Sequence, residues 1–154
     1  MCKENYFGNK YKKPILAFLI ALVLLLLAGC GGNIRSTVIK EVPSDIYSAD
    51  EINDAISLII KEFSGSWSGC TLKEITYAGD KTTARMADEY LGSNYEDFAE
   101  SWGEFDDVII LTSSFEVDAS GGDGSLNPNS TYTNWQWILV RNDGGSWRHV
   151  DHGY

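Results

Sequence analysis

Cysteine, histidine, proline and methionine are all scarce, with three, two, three and two copies in 154 residues. Only Cys70 lies beyond position 30, and a lone thiol has no internal disulfide partner. Cys70 opens the strand-like run CTLKEITY and reads as a small buried hydrophobe rather than a nucleophile. The two histidines, His149 and His152, sit at a spacing that sends them to opposite faces of a strand, which disfavours zinc. Positive charge is also short, with 12 Lys+Arg against 22 Asp+Glu and a net charge of −10. Such a surface repels phosphates and anionic head groups, which argues against nucleic-acid partners. Finally, no apolar run reaches the roughly 20 residues of a membrane span. The longest, PILAFLIALVLLLL, has 14.

What is present at the N-terminus has a different logic. MCKENYFGNKYKK carries four lysines against Glu4, the apolar run follows, and AGCGG closes it. A basic segment, a short apolar segment and a small-residue exit describe a secretory signal. The junction Leu27-Ala28-Gly29-Cys30 resembles the lipobox of bacterial lipoprotein signals. The resemblance implies cleavage before Cys30, thioether lipidation of Cys30 and a palmitate-type acyl chain on its amine. Two or more chains hold a protein at a membrane where one does not. The expected organisation is a signal peptide over 1–29, a lipidated tether over 30–43 and one domain over 44–154. A flexible tether of that length reaches roughly 20 Å. Losing residues 1–29 removes four lysines and one glutamate, so the remainder carries a net charge of −13.

Within 44–154 the periodicity predicts alternating elements. Ser48 and Glu51 fit a capping box, and Ile52, Ile56, Ile59, Ile60 and Phe63 follow on one helical face. GSWSG (65–69) ends that helix. It lacks the serine of a G-x-S-x-G nucleophile elbow, because Trp67 stands in the middle. CTLKEITY reads as a strand. A second helical region starts at Asp80, shows Ala84, Ala87, Tyr90 and Leu91 on one face, and breaks at Gly92-Ser93-Asn94 before Tyr95, Phe98 and Trp102. VIILTSSFEV and TNWQWILVR then read as strands, and Asn142-Asp143-Gly144-Gly145 as a hairpin turn into SWRHVDHGY. The order α-β-α-β-β-β predicts an α+β domain with its helices on one face of a curved antiparallel sheet.

That order, with the terminal hairpin WILVRNDGGSWRHVDHGY, resembles the cystatin-like roll of the nuclear-transport-factor-two superfamily. The stretch from GGDGSLNPNSTYTNWQWILVR to the C-terminus is similar to a group of lipoproteins from Firmicute-type bacteria. The superfamily holds isomerases, dehydratases and non-enzymatic binding domains, so the fold does not specify an activity.

Three constellations are candidates for chemistry. In the loop 118–131, Asp123, Ser125, Asn127 and Asn129 alternate like the start of a calcium loop. Pro128 and Asn134 stand where such a loop needs glycine and a bidentate glutamate. Its composition suits a self-supporting turn, and no metal or cofactor is expected. In the tail, His149 and Asp151 share a strand face and make a weak acid–base pair. On the central strand Trp135, Trp137 and Arg141 form a candidate ligand face for a glycan, peptide or protein. The leading expectation is a non-enzymatic, lipid-anchored extracytoplasmic binding module on a bacterial membrane. The alternatives are a cavity enzyme using His149 and Asp151, and a domain that dimerises through an exposed sheet face.

Overall fold

The computed structural model describes residues 31–92 and 94–154, so the signal segment, Cys30 and Ser93 lie outside the described residues. Among the described residues, three helices and five strands are ordered as β1 (Val38–Lys40), α1 (Ala49–Ser66), β2 (Cys70–Tyr77), α2 (Asp80–Tyr90), α3 (Tyr95–Trp102), β3 (Asp107–Val117), β4 (Thr131–Arg141) and β5 (Arg148–Gly153). They build one five-stranded sheet in the order β1-β2-β3-β4-β5. β1 runs parallel to β2 and every other pairing is antiparallel. The class is α+β, with a mixed, open sheet. Among the described residues no helix is long and apolar enough to cross a membrane.

The capping box forms as the sequence predicts. The Glu51 amide donates to Ser48 Oγ, and the Glu51 carboxylate accepts from the Ser48 amide at 2.9 Å. From that start, α1 buries Ile52, Ala55, Ile56, Ile59 and Phe63, the i, i+3, i+4, i+7 stripe of a core-facing helix. The break at 92–94 yields two helices, α2 and α3, rather than a kink. The face of α2 is rotated from the expected one. Thr83, Met86 and Tyr90 are buried, whereas Ala84 is exposed and Leu91 is 36% exposed. The larger side chains decide the orientation because they remove more apolar area from water.

The helices do not gather on one face. α1 packs with Ile109, Leu111, Phe115, Trp137 and Leu139, while Met86 and Tyr90 of α2 pack with Val108, Ile110, Ile138 and Val140. Successive residues of a strand point to opposite faces, so the unbroken run Val108-Ile109-Ile110-Leu111 needs apolar cover on both. α1 supplies one cover, and α2 with α3 supplies the other. Among the described residues, the central strands therefore present no bare face for self-pairing.

The segment expected to be a tether is built into the domain. Val38–Lys40 form β1, the Gly32 amide donates to the Phe63 carbonyl at 3.0 Å, and Asn33 exchanges backbone bonds with Cys70 and Leu72 at 2.8 and 2.9 Å. Two glycines allow this approach. A Cβ on Gly31 would stand 1.8 Å from Ser64 O, and one on Gly32 would stand 2.5 Å from the Phe63 ring. Gly32→Ala is expected to destabilise the domain by about 1–3 kcal/mol, the usual cost of overpacking. Urea unfolding reads this as a lower midpoint, and an unchanged midpoint would show that residues 31–33 are not docked.

Candidate functional site

Two surface depressions adjoin α1. One of about 740 Å³ lies at its N-terminal half, lined by Glu51, Asp54, Lys61, Arg141, Trp147 and the hairpin glycines Gly144 and Gly145. The other, of about 350 Å³, lies at its C-terminal end, between Glu62, Ser66, Trp67, Ser68 and Cys70 on one side and Gly122, Asp123, Ser125 and Leu126 on the other, with Trp135 and His152. In the larger depression the arginine is already paired. Arg141 bonds Asp107 and Glu51 at 2.8 and 2.7 Å, and its Cζ lies 4.1 Å from the centroid of the Trp147 ring. The smaller cleft gathers rings, carboxylates and hydroxyls from α1, the 118–131 loop, β4 and β5, and we take it as the candidate site.

This distribution divides the expected ligand face into three parts. Trp135 lines the cleft. Trp137 is fully buried, and its indole N–H donates to Ser113 Oγ at 2.8 Å, so it belongs to the core. Arg141 lies six residues beyond Trp135 on the same face of β4, about 20 Å away at the rise of an extended strand. The three do not form one surface. Trp67, rejected above only as part of a hydrolase motif, is the second indole of the cleft. Phe63 stacks on it at 5.2 Å, Trp135 meets it edge-on at 6.1 Å, and His152 lies 5.2 Å away.

The tail also departs from the expected alternation. The register of β4 with β5 slips between Ile138↔Asp151 and Leu139↔His149, which leaves Val150 as an extra residue. A bulge of this kind re-aims the side chains beyond it. His149 and His152 therefore share the face turned to α1, stacked at 5.2 Å, and Asp151 points away with an exposed carboxylate. The acid beside His149 is Glu62, with Oε1 2.7 Å from Nδ1. His149 Nε2 lies 2.9 Å from the Asp151 carbonyl and 3.4 Å from His152 Nδ1. Spacing could not reveal Glu62, which is 87 residues away. A weak signal existed, because Glu62 lies beside Phe63 on the last turns of a helix that must face the sheet.

His152 keeps one side exposed while the other rests on Trp67, Trp135 and Trp137. This one-sided burial, and then the neighbouring His149, lower its pKa below the usual 6.5. A base with a depressed folded pKa stabilises the fold fully above its unfolded pKa and loses that contribution as pH falls through the folded value. Stability is therefore expected to fall as pH drops below 6.5, and the loss should be smaller in His152→Gln. Equal slopes for the two proteins in thermal unfolding between pH 7 and 5 would contradict this.

The loop 118–131 closes on itself. Asp118 accepts from the Ser120 amide at 2.7 Å, Asp123 from the Ser125 amide at 2.9 Å, and the Asn127 amide donates to the Tyr132 hydroxyl at 3.1 Å. Hydrogen bonds from the hydroxyls and then the amides of Ser120 and Ser125 hold the Asp118 and Asp123 carboxyls below their usual range. Among the described residues no group of three or more His, Cys, Asp and Glu side chains is arranged to hold a metal ion. Cys70 forms part of the cleft floor, and burial, then Asp118 and Asp123, raise its thiol pKa. A thiol kept protonated in this way is a poor nucleophile. No family model, curated protein or solved structure matches the chain.

Proposed function

We propose that the protein is a lipid-anchored extracytoplasmic binding module, held to a bacterial membrane through Cys30, with the 350 Å³ cleft as its ligand site. The convergence of Trp67, Trp135, His152 and the 118–131 loop on one cleft carries the binding part. Sites for small ligands are concave, mostly apolar, and supplied with a few polar groups. The signal segment and the Leu27-Ala28-Gly29-Cys30 junction carry the anchoring part.

We also assign the domain to the cystatin-like roll and to the lipoprotein group that its C-terminal stretch resembles. A long helix laid on the antiparallel meander β2–β5 supports the roll; the α2–α3 cover on the reverse face is a departure from it. An acid–base enzyme is the second reading, favoured by the contact of Glu62, His149 and His152 at the cleft wall. It now rests on Glu62 rather than Asp151.

Intact mass of membrane-extracted protein tests the anchor. The expected species starts at an acylated Cys30, and a Cys30→Ala form that stayed anchored and lipidated would sink the reading. A thermal-shift screen against sugars, cell-wall fragments, ammonium compounds and divalent ions tests the binding part. A ligand at about 100 times its Kd adds about 2.7 kcal/mol of stability. The gain should vanish in Trp135→Leu, and a gain that persists there would place the ligand elsewhere.

A further inference from the structure

We propose that the cleft takes an organic cation, an ammonium group laid against the indoles of Trp67 and Trp135 and balanced by the carboxylates of Asp123 and Glu62. The inference rests on the reading of this cleft as a ligand site, and goes beyond it by naming the ligand's charge. Three observations carry it. The lining includes two acids and neither lysine nor arginine, in a chain whose portion after residue 29 has a net charge of −13. An anionic ligand would meet only like charge. A neutral ligand without hydrogen-bond donors would strip water from ionised carboxylates without replacing it, which is unfavourable.

The second observation is the aromatic wall. Ring faces attract cations through their quadrupole, indoles most strongly. Trp67, Trp135 and His152 are mutually in contact, with centroid separations of 5.2–6.1 Å. They make a continuous wall rather than three separate rings. Phe63 backs Trp67, so this wall is fixed before any ligand arrives. The lowered pKa of His152 keeps the third ring uncharged near neutral pH, where a protonated ring would repel a cation.

The third is the state of the acids. His149 engages Oε1 of Glu62, and Glu62 lines the cleft. Asp123 accepts from the Ser125 hydroxyl and, through Oδ1, from the Ser125 amide, which orients the carboxylate and keeps it ionised. The aromatic wall and the loop acid line the same cleft, so a cation held there has both within it.

Choline and its uncharged isostere 3,3-dimethyl-1-butanol separate charge from shape. Their binding to the full chain in non-ionic detergent is followed by ligand-observed NMR of the methyl protons, with N-acetylglucosamine as a neutral sugar. Choline is expected to bind about tenfold more tightly than the isostere, a difference of about 1.4 kcal/mol. Asp123→Asn, an exposed loop change that leaves the core intact, should weaken choline by about threefold and leave the isostere unchanged. Trp135→Leu should weaken both. If the isostere or the sugar binds as tightly as choline and depends on Trp135, the cation inference falls while the cleft remains a ligand site. If no probe binds, or if choline binds independently of both Asp123 and Trp135, the inference falls as well. A wider thermal-shift screen that also finds no Trp135-dependent ligand then removes the binding reading itself.

Discussion

Trp137→Ala is expected to cost about 3–5 kcal/mol of folding stability, the range for emptying a large buried aromatic site. The ring is fully buried, and it lies within 5.0–6.4 Å of the rings of Phe63, Trp67, His149 and His152. Its removal opens a void where α1, β4 and β5 meet, and a packed interior relaxes into such voids only partly. Part of the cost is polar. Ser113 is itself buried and receives the indole N–H, so Ser113→Ala alone should cost about 1–3 kcal/mol by leaving that donor unpaired. Trp137→Phe should fall between Ser113→Ala and Trp137→Ala, because it keeps most of the volume and deletes the donor. Urea midpoints at constant m-value measure all three. Trp135→Leu provides the contrast, with a smaller stability loss and a loss of ligand. A Trp137→Ala protein that kept its midpoint and lost only ligand would return Trp137 to the binding surface.

The two tryptophans differ by one alternation along a single strand, and that difference was only half legible in the sequence. The pattern TNWQWILVR shows that Trp135, Trp137 and Leu139 share a face, and they do. It does not show where the helix above that face ends. α1 stops at Ser66, so Trp137 is roofed and Trp135 stands at the margin, where a cleft begins. Both the capping box and the hairpin turn were readable because each depends on a few consecutive residues. The bulge at Val150 was not, because register is decided by the partner strand. With it went the pairing of His149 with His152 and the identification of Glu62. The docking of residues 31–33 was written in Gly31 and Gly32, yet two glycines after a cysteine read equally well as a flexible spacer. The two-sided burial of β3 did have a signal, the run Val108-Ile109-Ile110-Leu111, which a single helical layer does not satisfy.

Arg141→Met should have the second large effect, and it separates structural charge from ligand charge. The side chain is 12% exposed, its guanidinium holds Asp107 and Glu51 together, and its Cζ lies 4.1 Å from the centroid of the Trp147 ring. Asp107 also accepts from the Tyr47 hydroxyl at 2.6 Å, so one cation organises the junction of α1, β3, β4 and the hairpin. Breaking a dry pair costs about 3–5 kcal/mol, and because Glu51 and Asp107 remain 36% and 29% exposed, a loss of about 2–3 kcal/mol is expected here. The loss should depend on pH in a defined direction. Hydrogen bonds from the Ser48 amide and then from Arg141 lower the Glu51 pKa from 4.5 to about 2. A depressed carboxyl stabilises the fold fully above 4.5 and loses that contribution as pH falls through about 2. The gap between wild type and Arg141→Met should therefore be widest near neutrality and narrow below pH 4.5, as protonated Glu51 ceases to need a cation. Equal gaps at pH 7 and pH 3 in urea unfolding would show that Arg141 acts through packing on Trp147 instead. Affinity for a cleft ligand should stay unchanged in either case, because about 20 Å of β4 separates this junction from Trp135.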